Sequence, residues 1–485
     1  MKNKIFTILT LILVLFSSCD DYVDIEQQGI LIPESLQDLR SILNENNTFE
    51  NASHINDYYF TDDTFVPVEK IEAFTTSSLF NNATASRYNF DDEFYTLDQD
   101  DRDWNGNYEM IGRVNYVLDA LETFPGNQTE KDQLRGESLI QRASAYLDLV
   151  NLYSRHYSAG DPNEAETGVP LVTVFGDAEV SLVRASIQEV YDQILLDLNE
   201  GVNLIQNTES QFKFKASKIC GYALLARAYL HLGNYQLAAD NASAALNINN
   251  SLLDYQTELE ALGNTLGDPT ELFDPDFANT KETILHRRGF VTFAFSIQFV
   301  PVFAVVITPF TYMTPDVLSL YDTTYDMRYT NLTSLDFTAG FARRWTGADK
   351  LRTYFMTDIT IPEVILIRAE SYARLDNVGS AMDDLNYLRA NRFNTDDTSI
   401  INLNASSAEE ALTHALEERR RELVFRGTRF YDIKRLNAVD NASISITRNN
   451  LDGVEVTVPA NDNRWAMPIA PLETLLDPSI SQNPR

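Results

Sequence analysis

The chain has 485 residues, of which 71 are acidic and 38 basic, so its formal net charge at pH 7 is −33. This excess of negative charge repels phosphate backbones, so we expect no nucleic acid partner. With 44% hydrophobic residues and only two cysteines, the composition excludes a disordered chain and a disulfide framework. The length suffices for a large core in one composite domain or two interlocked ones.

The first 18 residues have the pattern of a secretory signal. Lys2 and Lys4 precede the apolar run Ile5–Phe16, and two serines then lead to Cys19. The segment resembles a bacterial lipoprotein signal, in which the cysteine is lipidated and becomes the mature N-terminus, although Phe16 stands where leucine is usual. A plain signal peptide and a short membrane anchor are the alternatives.

After a stretch rich in Asn, Asp, Thr and aromatic residues, apolar residues recur with the helical period. A short helix is predicted at Pro33–Asn44, and a long one opens at Trp104. Further amphipathic helices are predicted at Gln128–Tyr153 and Ser186–Ile205, the latter beginning with a capping box in which Glu189 follows Ser186 by three positions.

Two segments, residues 215–250 and Ile361–Arg392, repeat the pattern of a tetratricopeptide unit, a helical hairpin whose small residues allow close backbone approach. In the first, the helices meet at Gly233-Asn234. An ordinary antiparallel helix pair is the alternative for either segment alone, but a hairpin of this kind needs packed neighbours to bury its face. The small residues are twelve positions apart in both segments: Ala226 with Ala238, and Ala369 with Ala381.

Between residues 251 and 358 the helical period disappears. Phe290–Met313 contains no charged residue and is long enough to span a membrane. Its two prolines and its Phe, Val and Thr content favour strands or buried loops instead. Helices return at Ser406–Phe425 and Thr428–Leu436. The predicted fold is therefore mainly α, a tetratricopeptide-like helical-hairpin scaffold with long irregular insertions.

Enzymatic motifs are missing from the sequence. The five histidines have no metal-binding spacing, and there is neither a nucleophile elbow nor a phosphate-binding loop. We therefore predict no catalytic residue, no cofactor and no metal site. The acidic run Asp98–Asp103 could hold a structural Ca²⁺, but Arg102 and the missing glycine of a tight loop argue against it. Cys220, within the first hairpin, is predicted to be a buried small hydrophobe.

Glu417–Arg435 is the most specific motif of the chain. Its acids and arginines lie three and four positions apart, as in Glu418 with Arg421 and Glu422 with Arg426, which predicts a polar latch that packs the last helices onto the repeat. Together with the lipoprotein-like start, the motifs resemble the SusD/RagB family of outer-membrane nutrient-binding lipoproteins over nearly the whole mature chain. The other motifs lie at Trp104–Asn115, Arg142–Tyr153, Lys218–Leu230, Pro362–Glu370 and Pro468–Pro471.

The resemblance implies a lipid-anchored protein of the outer membrane that captures a nutrient and delivers it to a SusC-like TonB-dependent β-barrel transporter. Asp20-Asp21 resembles the acidic tag of lipoproteins exported to the cell surface in the Bacteroidota. The implied ligand is an oligosaccharide, and a peptide is the alternative within the family. A helical-repeat scaffold for another protein and a surface glycoside hydrolase are the alternatives outside it. The implied regions are a signal peptide (1–18), an N-terminal region (19–250) and a C-terminal region (251–485).

Capture of a sugar without chemistry requires flat aromatic faces against the sugar ring and polar side chains at its hydroxyls. We expect such residues in the segments outside the repeats. Any one of these rings could equally be a core residue. Three groups combine the required residue types: Asp57 with Tyr58 and Tyr59, Trp104 with Asn107, and Arg344 with Trp345.

Overall fold

The computed structural model describes residues 33–50, 59–76, 82–176, 181–258, 280–287, 312–337, 339–345 and 359–485. Cys19, Asp57, Tyr58 and most of Phe290–Met313 lie outside these ranges. Within them the chain is mainly α, as predicted. The helices are α1 Leu36–Leu43, α2 Asn46–Glu50, α3 Ile71–Thr76, α4 Asn82–Asn89, α5 Arg102–Thr123, α6 Gln128–Tyr153, α7 Ile187–Leu204, α8 Lys218–His231, α9 Tyr235–Ile248, α10 Pro315–Leu318, α11 Met327–Leu332, α12 Ile361–Arg374, α13 Val378–Ala390, α14 Thr398–Ile401, α15 Ala408–Glu422, α16 Arg429–Val439 and α17 Pro471–Leu476.

Local side-chain chemistry explains where the long helices begin. The Asn127 side chain accepts hydrogen bonds from the backbone of Thr129 and Glu130 at the start of α6. At the start of α7, both hydrogen bonds of the predicted capping box between Ser186 and Glu189 are present. The predicted bounds of Gln128–Tyr153 are those of α6, because the signals that start and stop this helix are local.

The two predicted hairpins are present as α8–α9 and α12–α13. Gly233 has a φ of +73°, the left-handed conformation that ends α8 and lets the chain reverse. All four alanines of the repeat pattern are completely buried. Consecutive long helices pack in chain order from α5 to α9, and α9 then packs on α12 although the whole region 251–358 separates them in sequence. The stack of helices therefore continues from α9 to α12, and the region 251–358 is an insertion between them.

Small residues also let α6 and α7 approach closely. A Cβ on Gly136 would lie 2.8 Å from the backbone nitrogen of Ile205 and 2.9 Å from the carbonyl oxygen of Gly201. Gly136 therefore has no room for a side chain unless the helices separate.

Outside the stack, the short strands of the described ranges form three small antiparallel sheets. The largest has the order β1-β3-β5-β4, and the other two pair β2 with β6 and β7 with β8. Four of these strands come from the region in which the helical period disappeared, and β3 contains the last two residues of Phe290–Met313. The strands are β1 Thr64–Phe65, β2 Thr283–Leu285, β3 Tyr312–Met313, β4 Thr333–Asp336, β5 Ala342–Trp345, β6 Ile359–Thr360, β7 Ile446–Asn449 and β8 Glu455–Val458.

Buried apolar side chains form two clusters. The larger lies within the helical stack and receives residues from both predicted regions of the mature chain. The smaller lies beneath the four-stranded sheet and is rich in tyrosine. The boundary at residue 250 stays a prediction. None of the helices in the described ranges has both the length and the apolarity that a membrane crossing requires.

The predicted polar latch is buried, and one of its two named pairs is present. Arg421 donates to Glu418 at 2.9 Å, as predicted. Glu422 accepts hydrogen bonds from Arg328 at 2.7 Å and Arg392 at 2.8 Å, both from other elements. Because α15 ends at Glu422, Arg426 lies in the turn that follows the helix, and its pairing with Glu422 stays a prediction.

Candidate functional site

The four-stranded sheet brings three of the predicted site residues into one region. Arg344 of β5 is paired with Tyr312 of β3 on one side and with Ser334 of β4 on the other. Trp345 follows in the same strand, and Tyr59 precedes the edge strand β1. Tyr59 and Trp345 both belong to the smaller apolar cluster. The sheet is therefore the place where residues distant in sequence converge.

Trp345 and Tyr59 support this sheet from within. Trp345 is 8% exposed and Tyr59 is 1% exposed. They pack among further buried aromatic residues, so their rings are mostly covered by protein. In the described structure both rings therefore belong to the buried cluster that supports the sheet. The other aromatic members of the cluster are Tyr88, Tyr255, Tyr312, Tyr321 and Phe425.

Two neighbouring arginines of β5 point to opposite faces, because side chains alternate along a strand. Arg343 lies with its guanidinium carbon 4.1 Å from the centre of the Tyr329 ring and donates to Thr333 Oγ1 at 2.5 Å. Half-buried Arg344 donates from Nε to Ser334 Oγ at 3.3 Å. Its Nη1 is buried and has no hydrogen-bond partner among the residues that the structure describes. Strand β5 thus carries cationic donors on both faces.

Among the described residues of this region, the most exposed aromatic side chains are two phenylalanines that are not among the predicted site residues. Phe337 and Phe341 flank the turn between β4 and β5 and are 73% and 64% exposed. Their ring centres are 5.5 Å apart at an interplanar angle of 87°. A sequence signal existed: two phenylalanines four positions apart, with a glycine between them, separate two strand-like runs.

Hydrogen bonds hold this hairpin tip in place. The backbone oxygen of Asp336 accepts the N–H groups of Ala339 at 3.2 Å and Phe341 at 3.1 Å. The Asp336 carboxylate accepts the Tyr312 hydroxyl at 2.7 Å and lies 3.5 Å from the Lys70 ammonium. The exposed rings consequently stand on a fixed support, so binding would cost little ordering of the chain.

Trp104 and Asn107 lie elsewhere, in the helical core. Trp104 is 4% exposed and its ring centre is 5.0 Å from those of both Tyr108 and Tyr153. Asn107 is fully buried and donates to the backbone oxygen of Asp103 at 2.8 Å. Residues covered to this extent offer no face to a ligand. The structure therefore favours the alternative interpretation, in which Trp104 and Asn107 are core residues. Tertiary packing of α5 against α6 produces this burial.

The acidic run Asp98–Asp103 does not form a cation cage. Asp101 caps α5 and accepts the Tyr153 hydroxyl at 2.6 Å, so it is already engaged. Burial, and then the nearby charge of Asp101, raise the pKa of Asp103 well above its usual value. Throughout the described ranges, no three metal-binding side chains converge.

A pocket of about 280 Å³ lies between the segment after α6 and the C-terminal residues. Arg184, which lines this pocket, already donates hydrogen bonds to protein acceptors, including the Gly168 carbonyl and the Asn483 amide oxygen, both at 2.8 Å. Among the described residues, only one Tyr or Trp ring, Tyr157, lines it. The pocket therefore offers few flat faces for a sugar, and the sheet with its hairpin tip is the better candidate surface.

Comparison with known proteins identifies the family. A family model described as starch-binding and associating with the outer membrane matches residues 21–230, and a SusD family model matches residues 348–485. Together they account for well over half of the chain. A SusD-like protein of Formosa agariphila is 27% identical over 261 residues, which cover 50% of this chain and 45% of that protein. The match thus spans less than half of this relative's length.

Solved structures share the fold. A SusD superfamily protein of Bacteroides thetaiotaomicron has a TM-score of 0.69 at 20% identity, covering 93% of this chain and 100% of the other. A SusD-like carbohydrate-binding protein of Bacteroides vulgatus has a TM-score of 0.61 at 20% identity, with 88% and 89% covered. A laminarin-binding SusD-like protein has a TM-score of 0.62 at 19% identity, with 93% and 100% covered. At such identities the likeness concerns the fold alone.

Proposed function

We propose that this chain, which belongs to the SusD/RagB family, binds an oligosaccharide at the outer membrane and passes it unchanged to a SusC-like TonB-dependent transporter. The family description names starch binding, and one protein of the same fold binds laminarin. The family consists of binding proteins, which supports capture without catalysis. The observation that carries the proposal is the rigidly supported, solvent-exposed aromatic pair beside the arginines of β5.

The contacts follow from the chemistry of the sheet. Phe337 and Phe341 present apolar ring faces to the C–H surfaces of sugar rings, and burial of that surface favours binding. Arg344, at the base of the same hairpin, supplies donors for hydroxyl groups. Tyr59 and Trp345 hold the sheet from beneath. Asp57 and Tyr58, which immediately precede Tyr59, stay proposed contacts.

Attachment to the membrane is part of the proposal. A lipid on Cys19 would hold the protein on the outer membrane without a spanning helix. The acidic residues that follow the cysteine support exposure at the cell surface. The family description, which associates these proteins with the outer membrane, is in line with this location.

The test is a titration of the purified protein with laminarin oligosaccharides, starch oligosaccharides and peptides, with analysis of the recovered ligand. A Phe337→Ala, Phe341→Ala double variant should bind at least tenfold more weakly, which corresponds to about 1.4 kcal/mol. The matched control is Phe212→Ala, another exposed phenylalanine (49%) that packs beside Phe214. Unchanged affinity of the double variant would exclude the hairpin tip, and cleaved ligand would favour the hydrolase alternative.

A further inference from the structure

Two adjacent carboxylates connect the sheet to the helical scaffold. Asp62 and Asp63 lie between Tyr59 and strand β1, and their side chains meet arginines of the Glu417–Arg435 motif. Arg429 donates from Nε and Nη2 to the two oxygens of Asp62, both at 2.7 Å. Arg420 donates from Nε to Asp63 at 2.8 Å, and its Nη2 lies 3.1 Å from Asp62. We name these four residues the arginine clamp.

The geometry of the clamp is specific. A guanidinium that meets a carboxylate with two parallel hydrogen bonds fixes orientation as well as distance, which a lysine ammonium cannot do. Burial would raise the pKa of Asp62, but the hydrogen bonds and charge of Arg429 outweigh it and the pKa is lowered. Asp62 therefore stays ionised and bound to its arginine at neutral pH.

A third arginine holds the backbone of the same segment. The guanidinium of Arg448, from β7, lies 4.0 Å from the centres of the Tyr88 and Phe90 rings. It donates to the carbonyl oxygens of Tyr59 and, at 3.4 Å, Thr61. Residues 59–63 are thus held through both their side chains and their backbone.

The clamped segment continues directly into the candidate surface. The Thr314 hydroxyl donates to the Asp62 carbonyl at 2.8 Å, and the Thr314 N–H donates to the Asp63 carbonyl at 2.9 Å. Thr314 follows β3, which pairs with β1 on one side and with β5 on the other. A displacement of Asp62 and Asp63 would therefore be transmitted across two strands to Arg344 and the hairpin tip.

We propose that Arg420 and Arg429 are positioning residues for ligand binding, which set the place of the four-stranded sheet against α15 and α16. The inference rests on the proposed function, because it assumes that the hairpin of β4 and β5 contacts the ligand. It goes further by assigning a role to the Glu417–Arg435 motif, which aligns the ligand-binding sheet with the helical scaffold.

A comparable ion pair outside the sheet can distinguish whether Arg429 only stabilises the fold or also positions the sheet. Arg368 and Asp384, in the second hairpin, form the same kind of two-bond ion pair at 2.9 and 2.7 Å. The side-chain exposures, 23% and 9%, are comparable with 13% and 20% for Arg429 and Asp62. This pair joins α12 to α13 and lies outside the four-stranded sheet.

The experiment compares full-length Arg429→Gln and Arg429→Lys with Arg368→Gln. Affinity for laminarin oligosaccharides is measured by calorimetry, and amide hydrogen exchange is followed in β1, β3 and β5. We expect Arg429→Gln to weaken binding at least tenfold and to speed exchange in these strands at least tenfold, while α8 and α12 keep their protection. Arg368→Gln should lower Tm by a similar amount but leave affinity within twofold and the exchange of the sheet unchanged.

Arg429→Lys keeps the positive charge but loses the two parallel hydrogen bonds of the guanidinium. It can be measured if Arg429→Gln fails to fold, and we expect an intermediate loss of affinity. If a folded Arg429 variant kept the affinity and the hydrogen exchange of the wild type, the proposed positioning role of the arginine clamp would be wrong. An equal loss of binding in Arg368→Gln would do the same. If the wild-type protein binds no laminarin oligosaccharide, laminarin is excluded as the ligand. The exchange measurement still decides whether the arginine clamp positions the sheet.

Discussion

Arg227 of the first hairpin and Glu363 of the second form a buried ion pair that joins the two repeats. Nε donates to Oε1 at 2.9 Å and Nη2 to Oε2 at 2.6 Å. Arg419 of α15 approaches the same carboxylate to 3.6 Å. Hairpins that are separated by the whole insertion are therefore matched by charge as well as by apolar packing.

Glu363→Gln should destabilise the protein by about 3–5 kcal/mol, because buried Arg227 would lose the carboxylate that accepts two of its hydrogen bonds. Urea unfolding measures the change. Replacing both partners, Arg227→Met with Glu363→Leu, should recover most of the loss, since this pair then leaves no charge buried. Asp384→Asn, in the less buried pair with Arg368, should cost clearly less. A loss below about 1 kcal/mol in Glu363→Gln would contradict the importance of this pair.

Trp104→Ala should cost about 3–5 kcal/mol of stability, because it leaves a large cavity between α5 and α6. The measurement is again urea unfolding, with Phe212→Ala as the control for loss of an exposed ring. If Trp104→Ala lost affinity for a sugar at unchanged stability, the ring would be a ligand contact after all.

Stability should fall as the pH is lowered from about 6.5 toward 3. Burial, and then the charges of Arg435 and Lys434, lower the pKa of His156 to about 3, and burial followed by the neighbouring His156 also lowers that of His231. The unfolded chain binds protons near pH 6.5, whereas the folded chain does not, so stability is complete above this window and is lost below it. Each histidine contributes at most about 1.4 kcal/mol per pH unit.

Unfolding in urea at pH 7 and pH 5 measures this dependence. His156→Gln removes one of the two groups, so the difference between the two pH values should shrink. The half-buried His414 provides the control, and His414→Gln should keep the wild-type difference. An unchanged difference in His156→Gln would mean that His156 is not held neutral in the folded protein.

Cys19→Ala should abolish lipid attachment, because the thiol is the acceptor of the lipid in the signal that the N-terminus resembles. Membrane fractionation and labelling with a fatty-acid analogue report the result, and Ser18→Ala, next to the cysteine, is the control. Normal labelling and normal membrane retention of Cys19→Ala would overturn the lipoprotein interpretation.

Much of the helical scaffold followed from residues close together in the chain. The bounds of α6, the capping box of α7 and the paired alanines of both hairpins all depend on contacts within a turn or between adjacent helices. Periodicity and capping are local, so they are legible in a single sequence. The mainly α fold was predicted on this basis and is confirmed. The family resemblance, which rested on motifs such as Glu417–Arg435, is confirmed as well.

Which aromatic and charged residues face solvent was decided only by the tertiary structure. Trp104 and Phe337 are both large apolar residues outside the repeats, yet packing of α5 on α6 buries the first and a tight strand turn exposes the second. Glu422 accepts hydrogen bonds from Arg328 and Arg392, which the fold brings from other elements and which no spacing within α15 indicates. Burial and ion pairing depend on which segments, distant in sequence, pack against each other in the fold. Local sequence patterns do not encode these contacts.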